Sequence, residues 1–184
     1  MIEPFESMEN LTFIRAMQPQ GVFELWRENE EKLAHWQQYW KGEGYESWEA
    51  WRGAFFEKFN IAKKEWGLYE VIDPMHTVAL WRGGPFSTWQ EKYYNGEEFA
   101  TFAHLAQTDA AHIDAVRQMA HNFPSPTTLT ALFTEQGPIV LEGMHRSVAL
   151  ALLAKEEKSE KIRVRAALAK GSCAELADAM KRIK

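Results

Sequence analysis

Ile139-Val140-Leu141-Glu142-Gly143-Met144-His145-Arg146-Ser147-Val148-Ala149-Leu150-Ala151-Leu152-Leu153 packs three pieces of local structure into fifteen residues. The apolar run Ile139 to Leu141 has the length and composition of a buried strand, Glu142-Gly143 turns the chain, and the alanine- and leucine-rich stretch that follows is a helix. A helix that opens at a glycine turn leaves its first backbone N–H groups unbonded and points the positive end of its dipole outward. His145 and Arg146 stand in that first turn, so the segment suits a phosphate group.

The periodicity on either side builds an α+β protein around this unit. Leu68 to Ile72, closed by Asp73-Pro74, reads as a strand. His76 to Trp81 is expected to form another. Helices are expected over Thr88 to Tyr94, Glu97 to Ala106 and Asp109 to Asn122, with Thr108 or Asp109 as a cap. Ala131 to Thr134 is read as a strand leading through Gln136-Gly137-Pro138 into Ile139 to Glu142, although Thr127 to Phe133 also fits a short helix. Past the central helix, Lys155 to Lys161 is a charged turn, Ile162 to Leu168 alternates like a strand, and a helix closes the chain from Ser172 or Cys173 to Ile183.

The first 66 residues differ in character, with six of the eight tryptophans at 26, 36, 40, 48, 51 and 66. Val22, Leu25, Trp26, Leu33, Trp36 and Trp40 follow helical spacing up to Lys41-Gly42-Glu43-Gly44. Ser47 is placed to cap a second helix with Trp48, Trp51, Phe55 and Phe59 on one face. Residues 1–66 are therefore expected to form a helical extension packed on a core of residues 67–184, because nothing near Trp66 and Gly67 resembles a flexible linker. These aromatics read first as core, with a platform for a base or sugar as the alternative.

Composition bounds the function. A chain of 184 residues with 46% hydrophobic and 13% aromatic residues can bury a substantial core, and a net charge of -5 makes duplex DNA a poor default partner. A lone cysteine, Cys173, excludes an intramolecular disulfide and fits a reducing cytoplasm. No apolar run approaches the length of a membrane span, so no membrane association is expected. His104, Asp109, His112 and His121 share one helical region without metal-ligand spacing, and no Gly-x-Ser-x-Gly elbow occurs, so neither a zinc site nor a serine hydrolase is expected.

Glu142-Gly143-Met144-His145-Arg146, followed by Val148-Ala149-Leu150-Ala151, resembles the Asp/Glu-Gly-x-His-Arg-x-x-Ala signature of the ParB and sulfiredoxin superfamily. The likeness is specific over about fifteen residues, loose over Leu68 to Leu168, and absent from the tryptophan-rich beginning. It implies a small mixed sheet with surrounding helices, Gly143 for close backbone approach, and His145 and Arg146 on a phosphate. Sulfiredoxins carry a reactive cysteine where this chain has Met144, and a thioether cannot replace a thiolate nucleophile, so sulfinic-acid repair is not expected. Residues 169–184 follow the matching region, so the DNA-binding and dimerisation parts of a partition protein, and with them a partition role, are not expected.

The expected function is recognition of a phosphate-bearing small molecule at the turn formed by Gly143, Met144, His145, Arg146 and Ser147, with a nucleotide, ATP or CTP with Mg2+, as the ligand. If the chain is an enzyme, it hydrolyses or transfers a phosphoryl group, with Glu142 as base or magnesium ligand, His145 and Arg146 on the phosphate, and Arg82 closing from the loop Arg82-Gly83-Gly84-Pro85. The structural alternatives are a Glu142–Arg146 pair and a plain glycine turn. Two other classes stay open: a non-catalytic regulatory protein that docks a protein partner or a second copy of itself, and a ParB-like nuclease.

Overall fold

A computed structural model describes residues 10–158 and 161–181. In chain order the elements are β1 (Leu11–Met17), α1 (Pro19–Glu30), α2 (Ala34–Gly42), α3 (Trp48–Lys58), β2 (Trp66–Val71), α4 (Pro74–Ala79), β3 (Arg82–Gly83), α5 (Ser87–Tyr93), α6 (Phe102–Leu105), α7 (Asp114–His121), β4 (Thr127–Thr134), β5 (Gly137–Glu142), α8 (Met144–Lys155), β6 (Val164–Lys170) and α9 (Cys173–Lys181). Single 3-10 turns lie at Ile61–Lys63 and Asp109–His112. The fold is α+β, and its sheet is mixed.

The strands lie in the order β1-β2-β6-β4-β5-β3. β4 runs parallel to β6 and β3 parallel to β5, and the remaining neighbours are antiparallel. Alternation along each strand divides the core into two layers. Val164, Ala166 and Leu168 of β6, with Tyr69, Val71, Leu129 and Val140, face the layer built around α8. Ala167 and Ala169, with Leu68, Leu132, Ile139 and Leu141, face the layer that holds Val22 and Trp26 of α1, Trp48 and Trp51 of α3, and Leu176 of α9. The sheet is buried on both faces, which is why β5 reads as an unbroken apolar run.

α8 is the central helix of its layer. Met144, Arg146, Ser147, Val148, Ala149, Leu150, Ala151 and Leu153 are all buried, and α4, α6 and α7 pack around it. A helix apolar on every side must be enclosed, and this one is.

Several elements differ from what periodicity predicts. Within residues 10–66, Leu11–Met17 is an edge strand paired with β2, and the tryptophan-bearing helices pack on one face of the sheet. The expected boundary at Trp66 and Gly67 falls inside β2. β1 escapes notice because Thr12 to Ala16 are exposed on both faces, so burial imposes no alternation. His76 to Trp81 is mostly the helix α4, not a strand; Pro74 occupies its first turn, where a missing N–H costs nothing and the fixed φ favours helix. The helix expected over Glu97 to Ala106 shrinks to Phe102–Leu105. The helix from Gly21 to Trp40 is broken after Glu30 into α1 and α2. Thr127–Thr134 is a strand, and Ser47 caps α3 by accepting from the Ala50 N–H at 3.1 Å. Ile183 and residues 159–160 of the charged turn lie outside the described residues.

Candidate functional site

The turn between β5 and α8 is built for tight internal packing. Gly143 has φ +104, and a Cβ there would come within 2.4 Å of Leu129 Cδ2. The glycine is therefore required by the left-handed backbone and by a leucine of the core, and close approach of a ligand is not needed to explain it. Ser147 is wholly buried, and its hydroxyl donates to the Gly143 carbonyl at 3.0 Å.

Arg146 is not presented as a free guanidinium fork. It is 7% exposed, donates to the Glu142 carboxylate and to Thr127 Oγ1, and reaches the Thr128 carbonyl at 3.0 Å. Glu142, 5% exposed, accepts from Arg146 on Oε1 and from Asn29 Nδ2 at 3.1 Å on Oε2. Burial pushes its carboxyl above the usual carboxylate range and the charge of Glu30 adds to this, against the pull of Arg146. The arrangement is the paired alternative foreseen for Glu142 and Arg146. A carboxylate held this way is part of the cavity wall with one donor on each oxygen, and the described residues contain no group of three or more His, Cys, Asp or Glu able to hold a metal ion.

Arg82 is spent on a backbone partner outside the turn. Its Nη1 donates to the Phe99 carbonyl at 2.8 Å, and the adjacent glycines serve packing, since a Cβ on Gly83 would meet the Tyr94 hydroxyl at 2.2 Å and one on Gly84 the Val140 carbonyl oxygen at 2.6 Å. The glycine loop is a short strand in a crowded place, not an anion-wrapping loop.

His145 has a different environment. Its ring lies 5.3 Å from that of Trp89, and it makes no side-chain hydrogen bond to the described residues. Burial, with smaller contributions from His35 and Arg146, lowers its pKa to about 4, so the imidazole is neutral near pH 7 and offers one donor and one acceptor.

His145, Met144 and Gly143 open on a cavity of about 420 Å³ between the tryptophan-rich helices and the α8 layer. Its walls carry Trp36 and Tyr39 from α2, Trp51 and Phe55 from α3, and Phe86, Trp89 and Tyr93 from the α5 region. Its polar surface is made by Asn29, Glu30, His35, Arg52, Glu142, His145 and Arg146. Glu30 accepts from Arg52 Nε at 2.6 Å and from Trp48 Nε1 at 3.2 Å, with a second Arg52 bond from Nη2. The Arg52 guanidinium lies 4.1 Å from the centroid of Trp51 and 5.2 Å from that of Phe55, so it is held by a carboxylate and by ring faces together.

Five of the seven expected site residues line the cavity: Glu142, Gly143, Met144, His145 and Arg146. Ser147 and Arg82 do not. Asn29, Glu30 and Arg52 escape a reading of the sequence, because the spacing in α1 and α3 points only to their apolar faces. A charged residue between Trp51 and Phe55 at helical spacing was the available signal. No family model matches the chain, and comparison with curated proteins and with solved structures found no significant match.

Proposed function

We propose that the protein binds a nucleotide-class small molecule, with the planar base inserted among the rings of the cavity and the sugar and phosphate directed toward its mouth. The lining supports this reading most directly: a cleft of about 420 Å³ with aromatic walls and a few convergent polar groups is the usual form of a small-molecule site. A base offers two π-faces to rings such as Trp51 and Trp89, and hydrogen-bonding edges to the uncommitted nitrogens of His145. The role expected of Arg146 passes to the wall, where it holds Glu142, so the reading is of binding first and of phosphoryl chemistry only if turnover is found. The relationship to the ParB and sulfiredoxin superfamily stands as part of this proposal, carried by the Glu142 to Arg146 signature.

A second reading rests on α2, which has no buried residue; Tyr39 within it and Leu33 just before it are 51% and 42% exposed beside the cavity. That surface suits a protein partner seated over the mouth, with the cavity serving regulation. Titration of wild type, Trp89→Leu and Arg82→Ala with ATP, CTP and GTP, with and without Mg2+, followed by tryptophan fluorescence and by product formation, separates these readings. Saturable binding that Trp89→Leu weakens at least about tenfold and Arg82→Ala leaves unchanged supports the ligand site. Folded wild-type protein that binds none of the three overturns it.

A further inference from the structure

The carboxylates and guanidiniums that line the cavity are already paired, Glu30 with Arg52 and Glu142 with Arg146, and His145 is uncharged near pH 7. An anion entering such a space meets no unpaired guanidinium, and it sheds part of its hydration. The part of a ligand that enters should therefore be neutral. Glu142 keeps acceptor capacity, because a carboxylate has about four lone-pair positions and here one oxygen serves Arg146 and the other Asn29. Arg52 spends Nε and Nη2 on Glu30, and its Nη1 makes no hydrogen bond to the described residues.

We infer that the cavity selects a neutral purine with a guanine-type edge, in which two adjacent N–H donors engage the remaining lone pairs of Glu142 and the neighbouring ring carbonyl accepts from Arg52. The inference rests on the proposed base-binding role of the cavity and specifies its ligand. Adenine and cytosine each present a donor beside an acceptor and would set a ring nitrogen against the carboxylate. This favours guanosine compounds over the ATP or CTP expected from sequence. Phosphate groups, remaining at the mouth, contribute little.

The test is a calorimetric titration of the wild-type protein with guanosine, inosine, adenosine, GMP and GTP, none of which requires a variant to fold. Guanosine is expected to bind at least about tenfold more tightly than inosine, which lacks the 2-amino donor, and than adenosine. GMP and GTP are expected within about threefold of guanosine, with little dependence on salt. Equal binding of all three nucleosides overturns the donor-edge assignment while leaving base binding in place. GTP binding at least about a hundredfold tighter than guanosine overturns the neutral-cavity argument, since that difference requires a phosphate grip. Absence of binding by every compound overturns the base-binding role itself and this inference with it. Glu142→Gln, checked for folding by circular dichroism, is expected to abolish the preference for guanosine over inosine, and an unchanged preference would assign the donor edge to another group.

Discussion

Replacing Arg146 with methionine separates a wall residue from a ligand-gripping one before any ligand is known. The side chains of Arg146 and Glu142 are 8% and 5% exposed, so removing the guanidinium leaves a desolvated carboxylate whose other partner is Asn29, and strips a donor from Thr127 and Thr128. Breaking a buried pair by deleting one partner costs about 3–5 kcal/mol. Against a typical domain stability of about 5–15 kcal/mol, that is a large fraction. The sign of the pH dependence follows from burial, which already raises the Glu142 pKa. Without Arg146 the folded-state pKa rises further above its unfolded value, so the variant recovers stability as pH falls and loses it as pH rises through the folded pKa. Replacing both residues, Glu142→Gln with Arg146→Met, removes both charges and should cost less than Arg146→Met alone. The assay is urea unfolding followed by circular dichroism at neutral and acidic pH. An Arg146→Met protein within about 0.5 kcal/mol of wild type at neutral pH would refute the reasoning, because only a solvent-accessible guanidinium is removed so cheaply.

Other consequences can be measured independently. His145 passes from an unfolded pKa of 6.5 to about 4 in the fold, so it contributes stability above pH 6.5 that is lost as pH falls toward 4, up to about 3 kcal/mol, and His145→Asn should flatten this part of the pH–stability curve. An identical slope in the variant would show that other groups carry it. Gly143→Ala should cost about 2–4 kcal/mol in denaturant unfolding, from its φ of +104 and the 2.4 Å approach to Leu129; near-neutral behaviour would contradict the turn geometry. Cys173 is 8% exposed and burial raises its pKa, so a thiol reagent should label it at the rate of protein opening, and rapid labelling of the folded protein would contradict its placement.

The unit most legible in the sequence was the one with the strongest local constraints. In Ile139 to Leu153 a double-sided strand, a glycine turn and an all-round apolar helix each leave their own composition, and all three stand where expected. β1 left no such trace because it is an edge strand exposed on both faces. α4 is ambiguous in sequence because Asp73-Pro74 is compatible both with a turn after a strand and with a helix start. The site was half legible for a related reason: residue types advertise chemistry, but only packing decides whether that chemistry is spent internally. Arg146 looks identical in sequence whether it grips a phosphate or Glu142 four positions earlier. Arg52 and Glu30 meet across 22 positions, and no local pattern announces that pairing.

The cavity lined by Trp51, Trp89 and the Glu142 to His145 turn is the proposed binding site. A crystal structure grown with millimolar guanosine tests it most directly. Density for the base is expected inside the cavity, with its amino edge on Glu142 and its ring among the aromatic side chains. A nucleoside bound at Arg82 or elsewhere on the surface, with the cavity holding only water, would contradict it.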